Sequence, residues 1–216
     1  MRRDPSGSSP FCSNLVPAHL AAQQDDAPHW VATWGTAQEL ARSPSTQPPG
    51  FTVENQTVRM VLRASIGGEQ SRIRLSSAFG SPTVVIGSAS VALRDSGADI
   101  VPGSSRPLHF GGETTLVLHP GVVVYSDPVN FEVAPLEEVV VSLYLSGEAG
   151  NPTTHPLGLR DTYLSPPGDF TDSVSFAPVD TTRSYYWLAG VDVAAPQDAF
   201  AIVAIGNSIT DGAVST

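Results

Sequence analysis

Lysine is missing from this chain of 216 residues: all 11 basic residues are arginines, at positions 2, 3, 42, 59, 63, 72, 74, 94, 106, 160 and 183. A coding bias is the plain reading of that absence, and a demand for planar guanidinium forks is the second. Cysteine is nearly missing too. Cys12 stands alone, which excludes an internal disulfide framework and CxxC redox chemistry. Five histidines, at 19, 29, 109, 119 and 155, are scattered, and none is spaced to share a metal with Cys12 or another histidine. Charge is scarce, at 15% of residues against ~25% in an average soluble domain. Its balance is acidic: 11 basic against 21 acidic side chains leave −10, which repels phosphate backbones and anionic lipid surfaces. Nucleic acid and membrane partners are therefore not expected. Neither an apolar window of ~20 residues nor a sustained stripe of period ~3.6 occurs, which excludes a membrane-crossing helix and a helical repeat.

Glycine and proline are abundant instead, 19 of each, together about 18% of the chain against an average of about 12%. Val, Ile and Leu recur in short runs between them, and 41% of residues are hydrophobic, as in a turn-rich, β-rich folded chain. Residues 1–29 read as a leader. Arg2 and Arg3 open it, but Pro5, Gly7, Pro10 and Pro17 break up the apolar stretch that a signal peptide needs. From Trp30 to Pro196 strand and turn alternate. Val58, Met60, Leu62, Ala64 and Ile66 alternate with Arg59, Arg63 and Ser65 at period two. Gly67-Gly68 follow, and then Ile73 and Leu75 alternate with Arg72 and Arg74, so a hairpin about the two glycines is expected. Further strands are expected over 83–93, 114–118, 122–125, 139–145 and 184–193, with Val139, Val141, Leu143 and Leu145 on one face. Many short strands at that spacing predict a mainly β fold, an antiparallel β-sandwich or jelly-roll-like module over 30–196.

At Pro196 the pattern changes. Ala199–Ile205 reads AFAIVAI, apolar on both sides, as a strand in the middle of a helix-covered parallel sheet would be. A second domain, of α/β class, is therefore expected to begin within 197–216. Gly206, Asn207, Ser208, Ile209, Thr210, Asp211 and Gly212 come next. A serine on the turn from such a strand into a helix stands at the carboxyl edge of the sheet, where substrates bind. Amides at the helix start would face a developing oxyanion, and Gly206 would let the chain turn tightly. Two readings of Ser208 stay open on these residues: a nucleophile, or a helix cap paired with Asp211. The phosphate-binding patterns GxxxxGK[ST] and GxGxxG are missing.

The run Ala201–Gly212 resembles the first block of the SGNH hydrolases, also called GDSL lipases and esterases, whose pattern Gly-Asp-Ser-Leu or Gly-Asp-Ser-Ile commonly continues as Thr-Asp-Gly. Trp30–Ala37 (WVATWGTA) resembles the opening of a secreted bacterial subgroup that carries a β-rich module before the hydrolase domain. The arginine-rich strands from Arg59 to Phe79, closing on Ser76-Ser77-Ala78-Phe79-Gly80, have the same character. The resemblance implies a flavodoxin-like hydrolase domain with Ser208 as nucleophile and its own amide in the oxyanion hole. It places Gly206 and Asn207 in the turn, Asn207 standing where the family has Asp, and gives Asp211 a supporting role. It further implies no metal or organic cofactor, a secreted or periplasmic location, and an ester substrate, small or an acetylated glycan. The family's later oxyanion Gly and Asn and its C-terminal Asp-x-x-His have no counterpart after Ser208. A serine hydroxyl is a poor nucleophile without a positioned base, so these residues are expected to be an N-terminal portion of an esterase, inactive alone.

A binding module is the competing class. Tyr185, Tyr186 and Trp187 are adjacent, and exposed rings on a β-sandwich stack on sugars. Tyr186 and Trp187 are the weak substrate-binding candidates of that platform; against it, alternation predicts Tyr185 and Trp187 buried on one face with Tyr186 on the other. Glu137-Glu138 point to opposite faces of a strand and cannot flank one bond. Asn55-Gln56-Thr57 satisfies the glycosylation sequon. Self-association through 199–205 is expected where no domain covers that segment.

Overall fold

In the computed structural model, which describes residues 27–40, 53–80, 82–207, 209, 210 and 212, the alternating segments form strands and, among the described residues, no helix. The strands are β1 (Trp30–Gly35), β2 (Glu39–Leu40), β3 (Gln56–Arg63), β4 (Ser71–Ser76), β5 (Val84–Leu93), β6 (Arg106–Pro107) and β7 (Leu116–Leu118). They continue as β8 (Val123–Tyr125), β9 (Glu138–Leu145), β10 (Thr153–His155), β11 (Thr162–Pro167), β12 (Asp180–Thr182), β13 (Tyr185–Tyr186) and β14 (Leu188–Ala194). The smaller main sheet runs β1-β14-β4-β8. The larger runs β12-β11-β3-β9-β5-β6, with β7 also on β5, and a third, short sheet runs β13-β10-β2. Every pairing is antiparallel.

Period-two patterning decides what goes inside. Val58, Met60 and Leu62 of β3 share one core with Val139, Val141, Leu143 and Leu145 of β9. Ile73 and Leu75 of β4 and Leu188 and Val191 of β14 meet them there, so the inner faces of the two main sheets close on each other as a sandwich. The expected face of β9 is therefore the core face.

The hairpin expected at Gly67-Gly68 does not form. β3 is buried along almost its whole length on both faces, and it lies in the larger sheet between β11 and β9. β4 lies in the smaller sheet between β14 and β8, so the two glycines carry the chain from one sheet to the other. Their lack of a side chain is what permits the crossing. Gly68 exchanges both backbone hydrogen bonds with Val133, at 3.0 and 2.9 Å. A Cβ on Gly67 would stand 2.5 Å from the Val133 carbonyl, and one on Gly68 2.5 Å from that of Ala194. The strand expected over 184–193 is also interrupted, at Trp187, whose φ of +57° separates β13 from β14.

The outer face of the larger sheet is covered as well. Val61, Ala92, Val140 and Tyr163 form a second core with Ala98, Ile100 and Phe176. At its centre Arg59 is fully buried. Its Nε donates to Ser142 Oγ (3.0 Å), Nη1 to the Ala98 carbonyl (2.7 Å), and Nη2 to the carbonyls of Phe170 (2.8 Å) and Ser173 (2.9 Å). The Phe176 ring lies over it, 4.6 Å from Cζ to centroid. Burial lowers the guanidinium pKa to about 10 against a partial rise from Asp99, so it stays charged at neutral pH. Replacing it by Met strands four acceptors in a dry face, and Arg59→Met should lose about 3–5 kcal/mol of stability. The urea midpoint checks this; a midpoint within error of the parent would deny the clamp.

Candidate functional site

The segment that carries the sequence motif leaves the sandwich beside β1. Ala195 donates its amide to the His29 carbonyl (2.9 Å), and Ala199 closes a turn onto Pro196 (3.0 Å). His29 Nε2–H donates to the Ala199 carbonyl at 2.9 Å, so His29, the last residue of the expected leader, braces this exit. Residues 1–26, with Cys12 and His19, lie outside the described residues.

The strand expected over 199–205 does not form. These residues pair with no strand, and Phe200, Ile202, Val203 and Ile205 face solvent, Ile205 at 93% of its surface. The physical reason is the pattern itself. A strand apolar on both faces needs parallel neighbours and helical cover, and the antiparallel module offers neither because its cores are already filled.

After this segment the chain turns tightly. A Cβ on Gly206 would meet the Thr210 side chain, so the chain packs closely on itself at this turn. Asn207 Oδ1 accepts the Ile209 amide (3.0 Å), and the Gly212 amide donates to the Ile209 carbonyl (3.1 Å), with Gly212 at φ +83°. An Asp at position 207 could supply the same acceptor as Asn207, so this turn bond does not depend on which of the two stands there. Ser208 and Asp211 lie outside the described residues.

The aromatic platform is corrected. Positive φ at Trp187 breaks the alternation, and Tyr185, Tyr186 and Trp187 all enter the core. Trp34 packs edge-on against Tyr185 at 4.7 Å between centroids. The Tyr185 hydroxyl donates to the Val61 carbonyl (2.8 Å), and burial pushes its phenol, like that of Tyr186, above the ordinary range. Tyr186 and Trp187 present no ring face to a ligand.

Other chemistry-bearing side chains are engaged structurally. His119 Nδ1 meets Thr83 Oγ1 at 3.1 Å, and His155 Nδ1–H donates to the Ala37 carbonyl at 2.6 Å. Glu137 accepts the Ala134 amide, while Glu138 holds Arg94 and Arg160, so the two carboxylates serve separate partners as the alternation expects. Asn55 of the sequon accepts the Tyr144 hydroxyl at 2.6 Å. One cluster escaped the sequence reading: Ser88 and Thr171 donate to Asp169 at 2.6 and 2.7 Å. Burial raises that carboxyl, but hydrogen bonds from Ser88 and Thr171 outweigh it and hold its pKa below the usual range. It is a structural acceptor that stitches the 169–171 turn to β5. Trp30, Arg72, Arg74 and Tyr125 also come together, from three strands, with only the i, i+2 arginines of β4 to signal it.

No family model matches this chain, and no curated protein matches it.

Proposed function

We propose that this chain supplies the β module and the nucleophile-bearing elbow of an SGNH-type serine esterase. The observation that carries the reading is the apolar segment 199–205, left open by the module and running into Gly206-Asn207-Ser208-Ile209-Thr210-Asp211-Gly212. Among the described residues before Pro196 no large apolar side chain is more than 61% exposed, whereas Phe200, Ile202, Val203 and Ile205 stand together at 76–93% just before a serine. Such a pattern is at home as the first strand of a flavodoxin-like α/β domain.

In this reading Ser208 attacks the ester carbonyl and forms an acyl-enzyme, with its own amide among the oxyanion donors. Gly206 and Asn207 hold the turn, and Asp211 supports it. The base that accepts the Ser208 proton and the remaining oxyanion donors come from outside these 216 residues. The substrate class is an acetylated glycan or a small ester, and the location is secreted or periplasmic. Burial of Tyr186 and Trp187 removes the residues on which the non-catalytic carbohydrate-binding alternative first stood.

Two measurements test it. The 216-residue protein should turn over p-nitrophenyl acetate no faster than its Ser208→Ala variant. Joined in frame to the later blocks of an SGNH domain, it should gain activity that Ser208→Ala removes. Serine-independent turnover in the joined protein, or robust turnover by the 216 residues alone, would sink the reading. Uncovered, the 199–205 segment is also a self-association surface. Light scattering should find larger particles for the 216-residue chain than for one ending at Pro196; identical sizes would contradict this.

A further inference from the structure

The outer face of the smaller sheet carries a second arginine–aromatic assembly, and unlike the one at Arg59 it is open. Register puts Trp30 of β1, Asp192 and Gly190 of β14, Arg72 and Arg74 of β4, and Tyr125 of β8 on one face. Arg72 pairs with Asp192 at 2.8 Å, and its Cζ sits 4.8 Å from the Trp30 ring centroid and 4.5 Å from that of Tyr125. Its charge is thereby neutralised and its plane fixes both rings. Arg74 is different. It has no carboxylate partner among the described residues. Its Nη2 donates to the Ala189 carbonyl (3.1 Å), and its exposed Nη1 has only a long contact, 3.4 Å, to the Tyr125 hydroxyl.

The backbone is shaped to lay this guanidinium flat. Gly190 stands opposite Arg74, and a Cβ there would be 2.8 Å from Nη2 and 3.1 Å from Nε. A Cβ on neighbouring Gly35 would lie 3.7 Å from Nη2. The glycines thus form a floor on which the fork rests, beside a Tyr125 that is 40% exposed.

We propose that this face binds a largely neutral glycan through one carboxylate-bearing sugar. Two arginines against one aspartate leave a single uncompensated positive charge on a chain of net charge −10. A polyanion would meet repulsion over the rest of the surface, whereas one carboxylate on a neutral chain matches the one free fork. The planar Arg74 guanidinium takes the carboxylate through paired N–H donors, and the Tyr125 ring packs on the apolar C–H groups of the sugar. The choice of a glycan rests on the substrate class proposed above. The surface makes no use of Ser208, so its test is separate from that of the esterase reading.

Calorimetric titration of the 216-residue protein decides it. The probes are a xylo-oligosaccharide bearing one glucuronate and the same compound with its carboxyl reduced to the alcohol. The acid should bind at least about tenfold tighter than the alcohol. Arg74→Gln should abolish that preference, Tyr125→Ala should weaken both ligands, and Gly190→Ala should weaken the acid by lifting the fork from its floor. A urea midpoint for Arg74→Gln equal to the parent's would separate lost binding from lost folding. Binding of neither compound, equal binding of both, a preference that survives Arg74→Gln, or equally tight binding of a glutamate-containing peptide would overturn the proposal.

Discussion

Arg59 holds a full charge where no water reaches, and it has no bonded carboxylate to share that charge with. Taking such an ion out of water costs several kcal/mol even after relaxation, so the fold must answer each donor. It does so with three backbone carbonyls and one hydroxyl, drawn from β9, from the 98–100 loop and from the 170–173 loop. Ser88 on Asp169, Ser90 on the Thr171 carbonyl and the Phe170 amide on Thr57 tie the second loop down as well, and together the loops dry the outer side of β3, β9 and β5. Burial disfavours the charged form and lowers the guanidinium pKa to about 10, so as pH climbs above that value this group alone makes stability rise. The buried phenols of Tyr185 and Tyr186 act in the opposite sense. Held protonated in the fold, they lose stability as pH climbs past the ordinary phenol value.

The same side-chain chemistry appears twice, with opposite outcomes. Under Phe176 and the loop carbonyls the guanidinium is spent on structure. Across the other sheet Arg72 is balanced by Asp192, and Arg74 keeps donor capacity toward solvent. What separates the two is cover: a loop packed on one face, and rings standing beside the fork on the other. A chain without lysine suits this arrangement, because a planar fork can stack on a ring and donate at its edge together.

Much of the sandwich is legible from period-two alternation, since one face of each strand must be dry. The interior face of β9 and the strands near 84–93, 116–118 and 123–125 follow from that rule alone. Strand partners do not. Gly67-Gly68 has the composition of a hairpin, and only the burial of β3 on both faces sends β4 to the other sheet. Arg59 looks like the polar half of an exposed alternation, because no local pattern announces that a loop over 100 residues later will cover it. Trp187 misleads for a backbone reason, as a positive φ at a non-glycine residue rotates one ring out of step and draws three into the core. The motif at 206–212 follows a segment with the pattern of a buried strand. Its strand is not formed here, because a two-faced strand is stabilised by neighbours rather than by its own residues.

The central claim is that residues 199–207 belong to a unit other than the sandwich that precedes them. Amide hydrogen exchange resolved along the chain measures this directly, because protection reports the local opening free energy. Amides of Ala201–Asn207 should exchange at close to the unprotected rate, while those of Val58–Leu62 and Val139–Leu145 exchange only through global unfolding, slower by a factor on the order of 10³ or more. Protection of 201–207 equal to that of β3 and β9 would contradict it, and would make this segment part of the module.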